Sequence, residues 1–385
     1  MKILNLHTCP NGLFSPEKNP RGGLEKVVFD LHVLLQRQGI DIISVCSPND
    51  WCASTPGCFP INLFGREVWR SKWKDYKATL QNFIQKEKPD VIIVHGTNKL
   101  LRVFNEWEMP VIFIDHQGHG SINLLYHLDF YTKIVPENRK YGGIIVGVSE
   151  VSNRMKEEEI KLQKIQDNFL FDDYFIFQYI TDELKSYPVS NHNKKAITIG
   201  LSEGYKAPHK IDLLRRKKWV QDYNLITLRP ENAKDKIQKY WEKNIECKPE
   251  ILSRTRVNVP RNETMRMLNE AMVYASTCNF ESAGITTFEA LSMGVPAIIW
   301  DDNNRHASTM FAPEGRGWAW QFISDDNIQS FVDYLPNARR EDIKNYVFSV
   351  NNPDVVAKSL IYKISKFLET AKINHNTSTD LTKFF

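Results

Sequence analysis

The chain alternates short apolar runs with longer amphipathic stretches almost from end to end, and it does so twice. The runs Lys2–His7, Asp41–Cys46, Asp90–His95, Val111–Asp115, Gly143–Val148 and Tyr174–Tyr179 have the length of strands, and Leu24–Gln38, Lys74–Glu87 and Val151–Lys164 between them read as helices. Units of this kind imply a parallel sheet covered on both faces. The polar stretch Ser186–Lys195 reads as a linker. Beyond it the pattern restarts, with strands at Ala196–Gly200, Asn224–Thr227, Val273–Ser276 and Ala297–Trp300. Helices are expected at Lys210–Gln221, Lys234–Asn244, Thr264–Ala271 and Thr287–Met293. The expected architecture is α/β: two Rossmann-like doubly wound domains, 1–185 and 186–352, with ligands at the carboxyl ends of the strands facing an inter-domain cleft. Residues 353–385 are expected to form an amphipathic helix, about Pro353–Ala371, and a polar tail.

At 385 residues there is room for two domains of about 150 residues or a little more. A content of 42% hydrophobic and 25% charged residues is that of a globular protein. No apolar run reaches the roughly 18 residues of a membrane span, and MKILNLHTCPNG is too short and too polar a start for a secretory signal. The cysteines Cys9, Cys46, Cys52, Cys58, Cys247 and Cys278 form no CxxC pair, so neither a disulfide framework nor a metal site is expected. A reducing cytoplasm fits that usage. The net charge of +4 is compatible with anionic partners without being diagnostic of nucleic acid.

The most chemically informative segment is Phe280–Trp300, FESAGITTFEALSMGVPAIIW. It reads as loop, helix N-terminus, helix, tight turn and buried strand. Gly284 lets the backbone approach a ligand, and the amides of Ile285, Thr286 and Thr287 are first-turn donors that favour an anion. Glu289, one turn further in, can accept from a ribose diol, and Glu281 from sugar hydroxyls. The plainer alternative is an amphipathic helix that begins at a glycine and ends before a buried strand. In Ile199–Leu214, IGLSEGYKAPHKIDLL, a strand ends at Gly200 and a helix starts after Pro208. Lys206 lies in the loop between them, either as an anion ligand or as a solvated cation. Asn19–Val28 carries Gly22 and Gly23 ahead of a helix, where backbone donors can come close to a phosphate or sugar. Ile114–Gly120, IDHQGHG, ends a strand, which makes Asp115 and His116 candidate sugar contacts. No third metal ligand stands near those histidines and no D-x-D triplet occurs, so metal-independent chemistry is expected. Trp51–Lys77 interleaves aromatics with Arg66, Arg70, Lys72, Lys74 and Lys77. It fits a nucleic-acid surface or a bilayer interface, or a helix whose Trp69, Trp73, Tyr76, Leu80 and Phe83 face the sheet. Arg215–Lys218 reads as a solvated helix face.

The spacing Glu281, Gly284, Glu289, Gly294, Pro296 resembles the donor-site signature of retaining GT-B glycosyltransferases, the nucleotide-sugar-dependent E-x7-E type. That resemblance implies transfer of a sugar from a UDP-sugar donor to an acceptor hydroxyl with retention, and no tightly bound cofactor. It implies that Lys206, six places after Gly200, holds the leaving diphosphate, and that His116 meets the donor sugar. The glycine-rich loop with Glu25 is similar to that of GT-B acceptor domains. The family usually has an arginine directly after the glycine of the IGLSEGYK segment. Here the residue is Leu201, so Lys210 or Arg229 supplies the second charge, or the diphosphate is held more loosely. The C-terminal helix is implied to cross back to the first domain.

The IGLSEGYKAPHK and EALSMGVPAIIW segments and the histidine cluster also resemble those of bacteriophage DNA α-glucosyltransferases. A hydroxymethylated cytosine in DNA is therefore the favoured acceptor, with Trp51–Lys77 as a candidate DNA contact. The alternatives are a cell-surface glycan or lipid-linked sugar, without integral membrane contact, and a UDP-sugar epimerase, which needs no acceptor.

Overall fold

The computed structural model describes residues 1–7, 23–46, 56–60, 73–95, 109–116, 144–162, 174–200, 210–227, 251, 253–257, 259–278, 284–300, 320–323, 335 and 338–381. The chain divides into two compact units, Met1–Phe177 together with Asp354–Phe385, and Gln178–Pro353.

The first unit holds strands β1 (Lys2–His7), β2 (Asp41–Cys46), β3 (Cys58–Pro60), β4 (Val91–His95), β5 (Val111–Asp115) and β6 (Ile144–Gly147). They form one parallel sheet in the order β3-β2-β1-β4-β5-β6. Helices α1 (Gly23–Arg37), α2 (Trp73–Glu87) and α3 (Glu150–Leu162) alternate with them. Strand β4, VIIVH, is buried at every position, as a central strand covered on both faces must be. A polar tie fixes α1 to the sheet edge. Ser44 Oγ lies 2.9 Å from His32 Nδ1 and accepts from Asn5 Nδ2, while His32 Nε2 meets Pro56 O at 3.1 Å. If Nε2 carries the proton, each partner in this chain has a donor or acceptor that matches.

The second unit repeats the plan. Strands β7 (Lys195–Gly200), β8 (Asp222–Thr227), β9 (Thr255–Val257), β10 (Val273–Ser276), β11 (Ala297–Trp300) and β12 (Trp320–Ile323) pair in parallel, in the order β12-β11-β10-β7-β8-β9. Its helices are α4 (Asp182–Ser186), α5 (Ile211–Arg216), α6 (Arg261–Asn269), α7 (Ile285–Ser292) and α8 (Arg340–Val350). Successive strand residues face opposite cores. Ile197, Ile226, Tyr274, Ala297 and Ile299 join the layer containing α6, α7 and α8. Ala196, Leu225, Val273, Ala275, Ile298 and Trp300 join the layer of α5. The expected pair of doubly wound parallel domains is present.

The final helix, α9 (Pro353–Leu381), belongs to the first unit and extends beyond the expected Ala371. Its buried stripe is Val356, Ala357, Leu360, Ile364, Phe367 and Ala371. Asp354 Oδ1 accepts from Gln38 at 2.8 Å, and Lys363 Nζ donates to Tyr174 O at 2.6 Å.

Some local expectations differ. Tyr174–Tyr179 alternates like a strand but forms none. Phe175, Phe177 and Tyr179 are buried, yet the carbonyls of Tyr174 and Gln178 accept from the side chains of Lys363 and Asn351 instead of from a sheet ladder. The helix expected over Lys210–Gln221 stops at Arg216, and Lys218 takes a positive φ of 63°. Arg215 and Arg216 are not simply solvated, because both pair with the buried Asp212, at 3.1 and 3.0 Å. The expected helix over Lys234–Asn244 lies outside the described residues.

Candidate functional site

In the second sheet β7 and β10 are neighbours, and the connections leaving them run to opposite edges. Such a switch point opens a crevice beyond the carboxyl ends of the strands, where ligands bind in open α/β sheets. The chain leaves β10 through buried Ser276, Thr277 and Cys278, and α7 begins at Gly284. Gly284 is the N-cap residue and sits in the left-handed region, φ 57° and ψ 35°. That conformation suits a residue without Cβ. As a glycine it offers no side-chain cap, and the first helical bond runs from Phe288 N to Gly284 O at 2.9 Å. The amides of Ile285, Thr286 and Thr287 therefore precede the helical ladder. Ile285 and Thr286 are half-buried, while Thr287 and every later helical residue are buried.

The other end of α7 is fixed as firmly. Gly294, φ 76°, ends it with bonds from Gly294 N to Leu291 O and from Val295 N to Ala290 O, a Schellman closure. The buried Arg340 donates to the carbonyls of Gly294, Ser190 and Asn269 at 3.2, 2.8 and 2.7 Å. Its guanidinium thus closes the C-terminal ends of both α6 and α7. Burial pushes its pKa down to about 10.

Glu289 is buried, and its Oε1 accepts from Arg261 Nη2 at 2.8 Å. Arg261, the first residue of α6, also grips Glu183 of α4 through Nε at 3.0 and 3.1 Å and Nη2 at 2.9 Å. Burial works against the guanidinium charge, but the carboxylates of Glu289 and Glu183 outweigh it and raise the pKa of Arg261. Beside them Tyr187 is pushed up by burial and by the charge of Glu183. The carboxylate expected to accept from a ribose is thus one end of a Glu183–Arg261–Glu289 chain, with one oxygen already engaged.

In the first unit the carboxyl ends of neighbouring strands bring histidines together. His7 and His95 are register partners on β1 and β4, at that sheet's own switch point. His116, directly after β5, is half-buried, with Nε2 2.8 Å from Nδ1 of the buried His95. Their rings stack at 5.1 Å and lean on Phe177, 5.9 and 6.2 Å away. One ring donates and the other accepts, so a single N–H lies between them.

The remaining expected residues are placed as follows. Asp115 closes β5 and Gly23 opens α1, both with side-chain surroundings outside the described residues. Lys210 is the N-cap residue of α5, and its side chain does not cap it. Lys206, Arg229 and Glu281 lie outside the described residues, as does most of Trp51–Lys77. Of the expected helical stripe in α2, Leu80 is buried, as is its neighbour Ile84, and Phe83 meets Phe59 edge-on at 5.1 Å, while Trp69 and the side chains of Trp73 and Tyr76 lie outside the described residues. Among the described residues no group of three or more His, Cys, Asp or Glu side chains could hold a metal, and no helix is long and apolar enough to cross a membrane. Sequence reading missed His95, Arg261 and Glu183. His95 carried the signal used for His116, a histidine at a strand's carboxyl end. Arg261 carried a weaker one, a cation opening a helix, where the dipole disfavours it.

No protein-family model and no curated protein matches the chain. Solved structures do. A sucrose-phosphate synthase from Thermosynechococcus elongatus aligns with a TM-score of 0.67 at 12% identity, over 96% of this chain and 100% of that one. Anabaena HepE in complex with UDP gives 0.63 at 11% identity, over 95% and 100%. The lipopolysaccharide outer core galactosyltransferase WaaB gives 0.55 at 14% identity, over 95% and 99%. At these identities the likeness is one of fold, and it extends over both units: the chain has the two-domain GT-B fold.

Proposed function

We propose that the protein is a glycosyltransferase that takes its sugar from a UDP-sugar. The observation that carries this reading is α7, which opens at a left-handed glycine beside the switch point of the second sheet, with half-buried first-turn residues and a buried carboxylate one turn in. Backbone amides at such a terminus suit a diphosphate, and the carboxylate suits a ribose. The neighbour HepE has been crystallised with UDP, and with UDP and glucose, which supports the same ligand class here.

The finer reading is transfer with retention. The departing phosphate takes the acceptor proton on the face from which it leaves. Lys206, with the first-turn amides of α7, neutralises the growing charge, where preorganised donors contribute most. Glu281, His116 and Asp115 are the proposed sugar contacts, and Lys210 or Arg229 supplies the charge missing at Leu201. The acceptor we favour is the hydroxymethyl group of a modified cytosine in DNA, on the resemblance of the Ile199–Lys210 and Glu289–Trp300 segments. Such an enzyme takes the base out of the stack. A glycan acceptor is the second reading, favoured by the neighbour named as a lipopolysaccharide galactosyltransferase.

The test is mass spectrometry of nucleosides from hydroxymethylcytosine DNA incubated with the protein and a panel of UDP-sugars. A nucleoside heavier by one sugar residue is expected. Its absence, with the sugar transferred to an oligosaccharide acceptor and UDP released instead, moves the acceptor to a glycan. Isomerised donor without any acceptor makes the protein an epimerase.

A further inference from the structure

We propose that Arg261 is a positioning residue for the donor nucleotide, aiming Glu289 at the ribose hydroxyls while itself held by Glu183. This rests on the UDP-sugar reading above.

Three features carry it. Arg261 meets both oxygens of Glu183 through Nε and Nη2, at 2.9 to 3.1 Å, and this fork fixes the plane of the guanidinium. With that plane set, the direction of the Nη2 bond to Glu289 Oε1 is set as well. Among the described residues no side chain or amide donates to Oε2 of Glu289, so the clamp fixes the carboxylate while engaging one oxygen and leaves the other to accept.

The second feature is where the cation stands. Arg261 is the first residue of α6, a position at which the helix dipole opposes a positive charge. Burial opposes it too. The helix dipole and solvation therefore give no reason for an arginine here, and the two carboxylates do. The third feature is the sequence span of the clamp. It joins α4, α6 and α7, so the rotamer of Glu289 depends on residues 28 and 106 positions away from it. Lysine would not replace it, because an ammonium is a point charge without a planar fork.

The experiment measures binding of UDP and of 2′,3′-dideoxy-UDP to wild type, Arg261→Met, Arg261→Lys and Glu183→Gln by calorimetry. Wild type should bind UDP about tenfold more tightly than the dideoxy analogue, the expected effect of hydrogen bonds to a charged group. Arg261→Met should erase that preference, weakening UDP about tenfold and leaving the dideoxy analogue unchanged. Arg261→Lys should restore only part of it. Glu183→Gln keeps the shape of a partly exposed partner and guards against a variant that fails to fold; it should lower the preference by about threefold. Equal weakening of both nucleotides would make the clamp merely structural and overturn the proposal. So would an undiminished preference in Arg261→Met and Glu183→Gln. If wild type binds no UDP, the donor reading itself fails and the positioning role falls with it.

Discussion

Gly294 shows how little latitude the candidate site leaves to single residues. It stands at φ 76°, and a Cβ built there would lie 2.3 Å from the carbonyl oxygen of Arg340. Gly294→Ala should therefore destabilise the protein by about 2–4 kcal/mol, combining left-handed strain with overpacking against backbone. Arg340→Met would strip the donors from three carbonyls at once, at a cost of about 3 kcal/mol or more. Chemical denaturation of both variants against wild type checks these values. At this scale the sequence was informative where glycine spoke for backbone, since Gly284 and Gly294 bracket α7 as expected. It was silent where partners are distant in the chain. Nothing near Glu289 announces Arg261, because an ion pair across 28 residues leaves no local pattern.

Among the elements, long buried strands were legible and short edge strands were not. Strands β1, β2 and β5 begin and end where their apolar runs do. The three-residue β3 and β9 lie at sheet edges, where one neighbour suffices and CFP or TRV carries no periodic signal. Tyr174–Tyr179 failed in the opposite way, since alternation records burial on one side and not the presence of a pairing strand. Helix α9 offers a stability test: Leu360→Ala, in its buried stripe, should cost about 2–5 kcal/mol by cavity formation, read from the denaturation midpoint. The tie between α1 and the sheet edge offers a pH test. Burial holds the pKa of His32 below its ordinary 6.5, partly offset by the bond to Pro56. Between 6.5 and that lower value the unfolded chain carries the extra proton, so stability falls as pH falls. The slope contributed is at most about 1.4 kcal/mol per pH unit, and denaturation of His32→Gln between about pH 7 and 5 should show a flatter profile.

For the whole molecule, the two sheets share one strand order, and each places its switch point between its first and fourth strands. This repetition was readable because the strand–helix alternation restarts after a polar stretch. The chemistry was readable only where it lies in one contiguous segment, as in Phe280–Trp300. A prediction at this scale concerns Lys206, expected to neutralise the leaving group: Lys206→Ala should lower turnover by roughly 100-fold or more without loss of fold, measured by steady-state kinetics and thermal unfolding. The most direct test of the donor-site reading is UDP release from a panel of UDP-sugars, with and without acceptor, by wild type and by Gly284→Val. Valine is excluded from the left-handed conformation that opens α7. Wild type should release UDP faster when acceptor is present, and the folded variant should do so at least about tenfold more slowly. No release from any UDP-sugar by wild type, or undiminished release by the variant, would contradict a nucleotide-sugar site at this helix.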